Sequence, residues 1–305
     1  MKSRLSLKLL KSGLAGGALV AGNWAYAQTI AYDVTQPGLI QNANGALVFT
    51  ASGTSSSGTG TFGGFLTINS NNPQTSGIST SGTVGADVTG AQTSTQTFSQ
   101  LPTTVINSVT YRSFGIDLNE SQASGESFIS LDSVVLYRAT ASSGAAAGPN
   151  ANGSNLSTFT STTAGLSVVW SLDSFTGLDP SATGAVTQDS VLLFDTAVLG
   201  SGSGVADIYL MIPDSAFAGS QSGDYFYLYA AFGGAGVVNG QNYENSGGFE
   251  EFGRVSGLTF TSLPSTIISP SVIPEASPSA ALGIGLAAAG WWRARRRSQT
   301  ASITA

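Results

Sequence analysis

Through the middle of the chain, apolar and polar positions alternate in short runs and do not recur at helical spacing. Between residues 128 and 137, Ile129, Leu131, Val135 and Tyr137 share one face at a period of two. Residues 205–212 place Ala206, Ile208, Leu210 and Ile212 on one side, with Val205, Asp207, Tyr209 and Met211 on the other. Further strand-like runs fall at 45–49, 105–118, 166–173, 190–199, 224–232 and 254–260, separated by Gly, Ser, Asn and Asp. No amphipathic pattern of about 12 or more residues occurs between 28 and 274. Closely spaced strands without intervening helices predict an all-β body, an antiparallel β-sandwich of jelly-roll-like form. Residues 140–165 read as a small-residue loop. Residues 51–100 are rich in Gly, Ser and Thr, with too few large apolar side chains to build a core. They are expected to form exposed edge strands or a partly disordered insert.

The two ends follow different rules. Lys2, Arg4, Lys8 and Lys11 precede a short apolar run at 14–22, and Ala25-Tyr26-Ala27 forms a small-residue cleavage pattern. This predicts a signal helix, with residues 1–27 a signal peptide cut between Ala27 and Gln28, and implies the secretion translocon and signal peptidase as partners. At the other end, a Pro/Ser linker at 262–278 reads as a semi-rigid spacer. An apolar stretch at 280–292 and four arginines, Arg293, Arg295, Arg296 and Arg297, follow within the tail segment 279–297, before a polar end at 298–305. As a helix the stretch spans roughly 20 Å, short of the ~20 residues that a stable membrane span requires. It predicts a marginal C-terminal membrane helix, its arginines on the cytoplasmic side and the body outside.

Charge sharpens this picture once the ends are set aside. The chain carries 11 basic and 17 acidic residues. Only Arg112, Arg138 and Arg254 lie between 28 and 274, against 16 acidic residues, so the body carries 3 − 16 = −13 and no Lys, His or Cys. No Cys excludes disulfides and thiol catalysis. Without His there is no Ser-His-Asp triad and no ordinary zinc site. Three isolated arginines cannot supply a nucleic-acid footprint. Anionic lipid would repel the body, leaving the tail as its one membrane contact.

The order Pro274-Glu275, apolar stretch, arginine cluster resembles the PEP-CTERM sorting signal of exported proteins in Gram-negative bacteria. Ala276 stands where that signal carries a second proline, and Pro278 follows two residues later. The resemblance implies an exosortase as processing partner, an inner-membrane intermediate, and delivery to the cell surface or extracellular matrix. Two body stretches, residues 111–132 and residues 223–233 with 247–253, resemble recurrent segments of exported PEP-CTERM proteins of similar size. Those are β-rich surface proteins without an assigned activity, which implies a non-enzymatic role.

Three constellations in the body carry candidate chemistry. Asp117, Asn119, Glu120 and Asp132 offer oxygen ligands for calcium near the ends of two successive strands, or serve only as turn residues. Tyr225, Tyr227 and Tyr229 share a strand face that could stack on an extracellular polysaccharide, or pack across strands. Glu250 or Glu251 could pair with Asp117 or Glu120 as a glycosidase dyad, which needs carboxyls about 5–9 Å apart. No residues are assigned a catalytic role, and no cofactor other than calcium is indicated.

Overall fold

The computed structural model describes residues 28–50, 63–70, 72–80, 93–121, 123, 125–140, 156–199, 206–258 and 267–273. The expected signal helix and tail helix lie outside the described residues, as do Ala25, Ala27, Pro274, Glu275, Arg293, Arg295, Arg296 and Arg297. Gln28 opens the described chain and is exposed.

The strands run β1 (Thr29–Asp33), β2 (Ile40–Ala43), β3 (Ala46–Thr50), β4 (Gly63–Ser70), β5 (Thr75–Ile78), β6 (Gln96–Thr97), β7 (Thr103–Ile106), β8 (Val109–Leu118) and β9 (Phe128–Ala139). A short helix α1 (Leu156–Thr162) precedes β10 (Leu166–Ser171), β11 (Ser174–Phe175), β12 (Val186–Gln188) and β13 (Ser190–Asp195). Then come α2 (Thr196–Leu199), β14 (Ile208–Pro213), β15 (Tyr225–Phe232), β16 (Val237–Val238), β17 (Gln241–Asn242), β18 (Gly248–Arg254), β19 (Ile267–Ile268) and β20 (Ser271–Ile273). The body is all-β, with mostly antiparallel sheets and few helices.

Sheet one has the order β20-β1-β13-β9-β15-β5, with β10 also on β9 and β6 on β15. Sheet two runs β19-β2-β3-β14-β8-β18-β4, with β7 on β8. The sheets are mixed: β1 pairs with β13, and β19 with β2, in parallel. Two hairpins have backbone-driven tips. Asn44-Gly45 links β2 to β3, and Asn107-Ser108 links β7 to β8, all four residues at positive φ, matching the twist of flanking strands.

The sheets share one core. Ile129, Leu192, Leu228 and Phe232 from sheet one meet Val48, Ile116, Leu210 and Phe252 from sheet two. Phe232 and Phe252 touch across it, ring centres 6.0 Å apart. The alternation in residues 205–212 holds from residue 208 onward: Ile208, Leu210 and Ile212 enter this core, while Tyr209 and Met211 serve a smaller cluster outside sheet two; Ala206, expected with the first group, precedes the strand and joins the second.

The alternation in residues 128–137 breaks. Phe232 of β15 pairs with Leu131 and Ala231 with Ser133, leaving Asp132 unmatched. That bulge inserts one residue and reverses the facing of the rest of the strand. Ile129 and Leu131 therefore face the inter-sheet core together with Val134 and Leu136, while Val135 and Tyr137 face outward.

The outward face of sheet one is also covered. The expected loop at 140–165 contains α1, whose Leu156 and Phe159 are buried over Tyr137, Tyr227 and Tyr229. Seven residues are too few for helical periodicity to register, and tertiary packing holds such a short helix. Two other expectations shift. Where a strand was expected at 254–260, β18 ends at Arg254 and residues 255–258 are not strand; β18 (Gly248–Arg254) pairs on both sides, with β8 and with β4. The expected spacer at 262–278 contains β19 and β20, which extend the edges of both sheets.

Candidate functional site

The bulge also makes a cleft. Along one edge, β9 pairs with β13 through residues 128–131 and with β10 through residues 135–139. Asp132 and Ser133 sit at this fork, where neither neighbour covers the strand. Asp173 follows β10 and Asp189 precedes β13, so both return to the same place. Together with Tyr229 they line a cleft of about 190 Å³. A second cleft of about 420 Å³ adjoins it and shares Asp132 and Tyr229.

Each carboxylate here is held by the backbone or a hydroxyl. Asp132 accepts from Gly234 N–H at 2.5 Å and from the Ser130 hydroxyl at 2.9 Å. Asp173 accepts from Ser190 N–H at 3.0 Å. Asp189 accepts from the Thr29 hydroxyl at 2.6 Å. Gly233 and Gly234 make the first contact possible. Gly233 lies at φ +79°, and a Cβ there would meet the Pro73 carbonyl oxygen at 2.0 Å. At Gly234 a Cβ would stand 3.0 Å from the Asp132 carboxyl.

Burial sets the charge state of this cleft. It pushes the Asp132 carboxyl up to about 6, against the opposing hydrogen bonds from Gly234 and Ser130. It pushes Asp173 up to about 7, against hydrogen bonds from Ser133 and Ser190, with the charges of Asp189 and Asp132 adding to the rise. The Tyr229 phenol is also raised, mainly by burial, with nearby aspartates contributing. Among the described residues no arginine offsets these acids. Arg112 pairs with Asp214 at 2.7 Å beneath the Phe98 ring, Arg138 lies 3.9 Å from Asp224, and Arg254 donates to the Gln100 carbonyl. Near neutral pH the cleft thus holds protonatable carboxyls and hydroxyls. It can exchange hydrogen bonds with a hydroxylated neutral ligand and repels anions.

The residues expected for calcium separate. Asp132 is in the first sheet. Asp117 is fully buried on β8 in the second, beside Asp207, whose carboxyl rises to about 7 through burial and the Asp117 charge. Glu120, past the end of β8, accepts from the N–H and hydroxyl of Ser246. Asn119 presents its backbone to Gly248: a Cβ on that glycine would collide with the Asn119 carbonyl. Among the described residues no three His, Cys, Asp or Glu side chains converge as metal ligands.

Of the carboxylate pairings left open, Glu120 and Glu250 meet, though closer than a glycosidase dyad requires. The two carboxyls are within hydrogen-bonding reach, and burial raises Glu120. Carboxyls in direct contact leave no room for a sugar between them, and Glu250 is fully buried at the inter-sheet core. Glu251, on the opposite strand face, opposes Asp117 in register.

The tyrosine row is a packing face. Tyr227 is fully buried and meets Phe159 edge-on at 5.0 Å. Tyr225 packs beside it, and Tyr229 borders both of the clefts described above. Sequence reasoning missed Asp173 and Asp189. The one available signal was their occurrence directly after and before strand-like runs in a chain with few charges.

No protein-family model, no curated protein and no solved structure matches this chain.

Proposed function

We propose that this chain is a non-enzymatic exported surface or extracellular-matrix protein with a jelly-roll-like sandwich body. It crosses the inner membrane through the secretion translocon and loses residues 1–27 to signal peptidase. Its C-terminal tail then holds it in the membrane until an exosortase processes it. The observation that carries this reading is the order of Pro274-Glu275, the apolar stretch at 280–292 and the four arginines. Moving residues 262–305 onto an exported reporter should give a membrane-held form that is trimmed only in an exosortase-bearing host. A reporter retained or released identically in hosts with and without the enzyme sinks the sorting claim.

A second reading, carbohydrate binding, is favoured by the cleft at Asp132, Asp173 and Tyr229. Its protonatable acids and phenol suit sugar hydroxyls, and its negative charge selects against acidic glycans. Glycan-array binding by the body should favour neutral polysaccharide and drop at least about tenfold in Tyr229→Ala, the loss expected when one ring and its hydrogen bond leave a small site. Arrays without signal at either acidic or neutral pH end this reading.

A further inference from the structure

The walls of the two clefts come from separate parts of the chain. Between Asp173 and Asp189 the chain leaves sheet one as a flap and then returns to it. The stem of the flap is the β11–β12 ribbon, where Ser174 opposes Gln188 and Phe175 opposes Val186. Hydrogen bonds fasten it to the sheet. The Tyr137 hydroxyl donates to the Leu178 carbonyl at 2.7 Å, and the Ser190 N–H to the Asp173 carboxyl at 3.0 Å. Pro180, Ser181 and Val186 of the flap line the smaller cleft, of about 190 Å³, together with Asp132 and Tyr229 of the sheet. The larger cleft, of about 420 Å³, is bounded instead by Gln74 and by Ser76 of the edge strand β5.

We propose that the two clefts are consecutive subsites for two linked units of a neutral polysaccharide, one unit under the flap and the next against β5, with Asp132 and Tyr229 as the wall between them. This rests on the carbohydrate reading given above and specifies its ligand. Size is the first argument. Small-molecule sites occupy about 300–1,000 Å³. The smaller cleft falls below that range and the larger sits near its lower end, so each suits a single ring and neither suits a chain. The junction is the second argument. Asp132 and Tyr229 line both clefts, which puts hydrogen-bonding groups where two linked rings meet.

The shared wall suits hydroxyl groups. The Asp132 carboxyl accepts from Gly234 and Ser130, but a carboxyl has about four acceptor positions, so capacity remains for a ligand. The Tyr229 phenol is hydrogen-bonded to Ser76, which ties the wall to β5. Tyr229 is only 8% exposed. It therefore presents an edge and not a ring face, and the site selects by hydroxyl placement and shape rather than by stacking. Linkage adds affinity of its own, because a ring seated in one cleft brings the next ring to the other at high effective concentration.

Calorimetric titration of the full chain with cello-, laminari-, malto-, manno- and galacto-oligosaccharides of one to six units tests this. In a series that binds, affinity should rise at least about tenfold from one unit to two and then level off. Ser181→Trp should fill the smaller cleft and Gln74→Trp should narrow the larger. Both positions are exposed, so neither change enters the core. Each variant should bring the affinity for two units down to that for one, and the two together should abolish binding. The length series on the unaltered chain needs no variant, so it decides the matter even where a tryptophan disturbs folding. Equal affinity for one and two units, or a second tenfold gain beyond two, overturns the paired subsites while leaving carbohydrate binding intact. Folded variants that bind two units as well as wild type overturn them as well. No binding in any series overturns the carbohydrate reading itself, and the subsites with it.

Discussion

Raising the pH from about 4.5 to about 8 should destabilise the body strongly. Asp132 is raised to about 6, and Asp173 and Asp207 to about 7, each chiefly by burial. A carboxyl whose folded pKa lies above its unfolded value of about 4 binds protons more tightly when folded. Its stabilising effect is complete below the unfolded value and is lost as pH climbs through the folded one. The window is therefore about pH 4 to 7.5. Each pK unit corresponds to about 1.4 kcal/mol. Even after generous discount for relaxation and water entry, three such groups together are expected to shift stability by several kcal/mol, a large part of what a domain has. Thermal unfolding of the trimmed body should show Tm falling by more than about 10 °C across the window. The net charge of the body adds self-repulsion in the same direction, but salt screens that part and leaves the buried part. Asp207→Asn should flatten the profile and exceed wild type in stability at about pH 8. A Tm that is flat or rises with pH contradicts the burial of these acids.

Phe159→Ala should be the most damaging single core truncation on the outer face of sheet one. Phe159 is fully buried and meets Tyr137 and Tyr227 edge-on, at 5.8 and 5.0 Å. Removing such a ring costs about 3–5 kcal/mol, part transfer and part cavity. Because α1 is only seven residues long and few residues besides Leu156 and Phe159 tie it down, the helix should detach rather than settle. The tyrosine row would then open to solvent. Denaturant unfolding measures the loss, and tyrosine fluorescence quenching by added iodide reports the exposure. A loss under about 1 kcal/mol with tyrosines still protected shows that α1 is not their roof.

What the sequence revealed, and what it hid, follows one physical division. Strand periodicity is local, and runs such as Ile208–Pro213 could be placed and faced correctly from their own residues. Asn44-Gly45 at the β2–β3 tip is equally local. A bulge is not local: nothing in the residues around Asp132 announces that β15 skips it, since the skip is a relation between strands. The cleft depends on that skip, and so Asp173 and Asp189 could not be assigned to a site. The tyrosine row was left between sugar stacking and packing, and the structure shows packing. Its spacing was read correctly, but α1 decides whether the face is open, and α1 lies outside any strand pattern. Of the pairings left open between Glu250 or Glu251 and Asp117 or Glu120, Glu120 and Glu250 come within hydrogen-bonding reach. Their burial is a tertiary property that the sequence does not display.

The adjacency of β1 and β20 also bears on how fast and where this protein can fold. A hydroxyl on Ser271 reaches the carbonyl of Ala31 across a sequence separation of 240, and β1 already waits for β13 at Ser190 to find its first partner. Contacts this distant in sequence are the slowest to form, because the loop must close before any pairing rewards it. On the export route proposed above, a chain entering a translocon from its N-terminus would carry β1 across long before its neighbours arrive. The first sheet stays open-edged until nearly the whole body has emerged. Slow closure would keep a chain on that route threadable and confine its final compaction to the far side of the membrane.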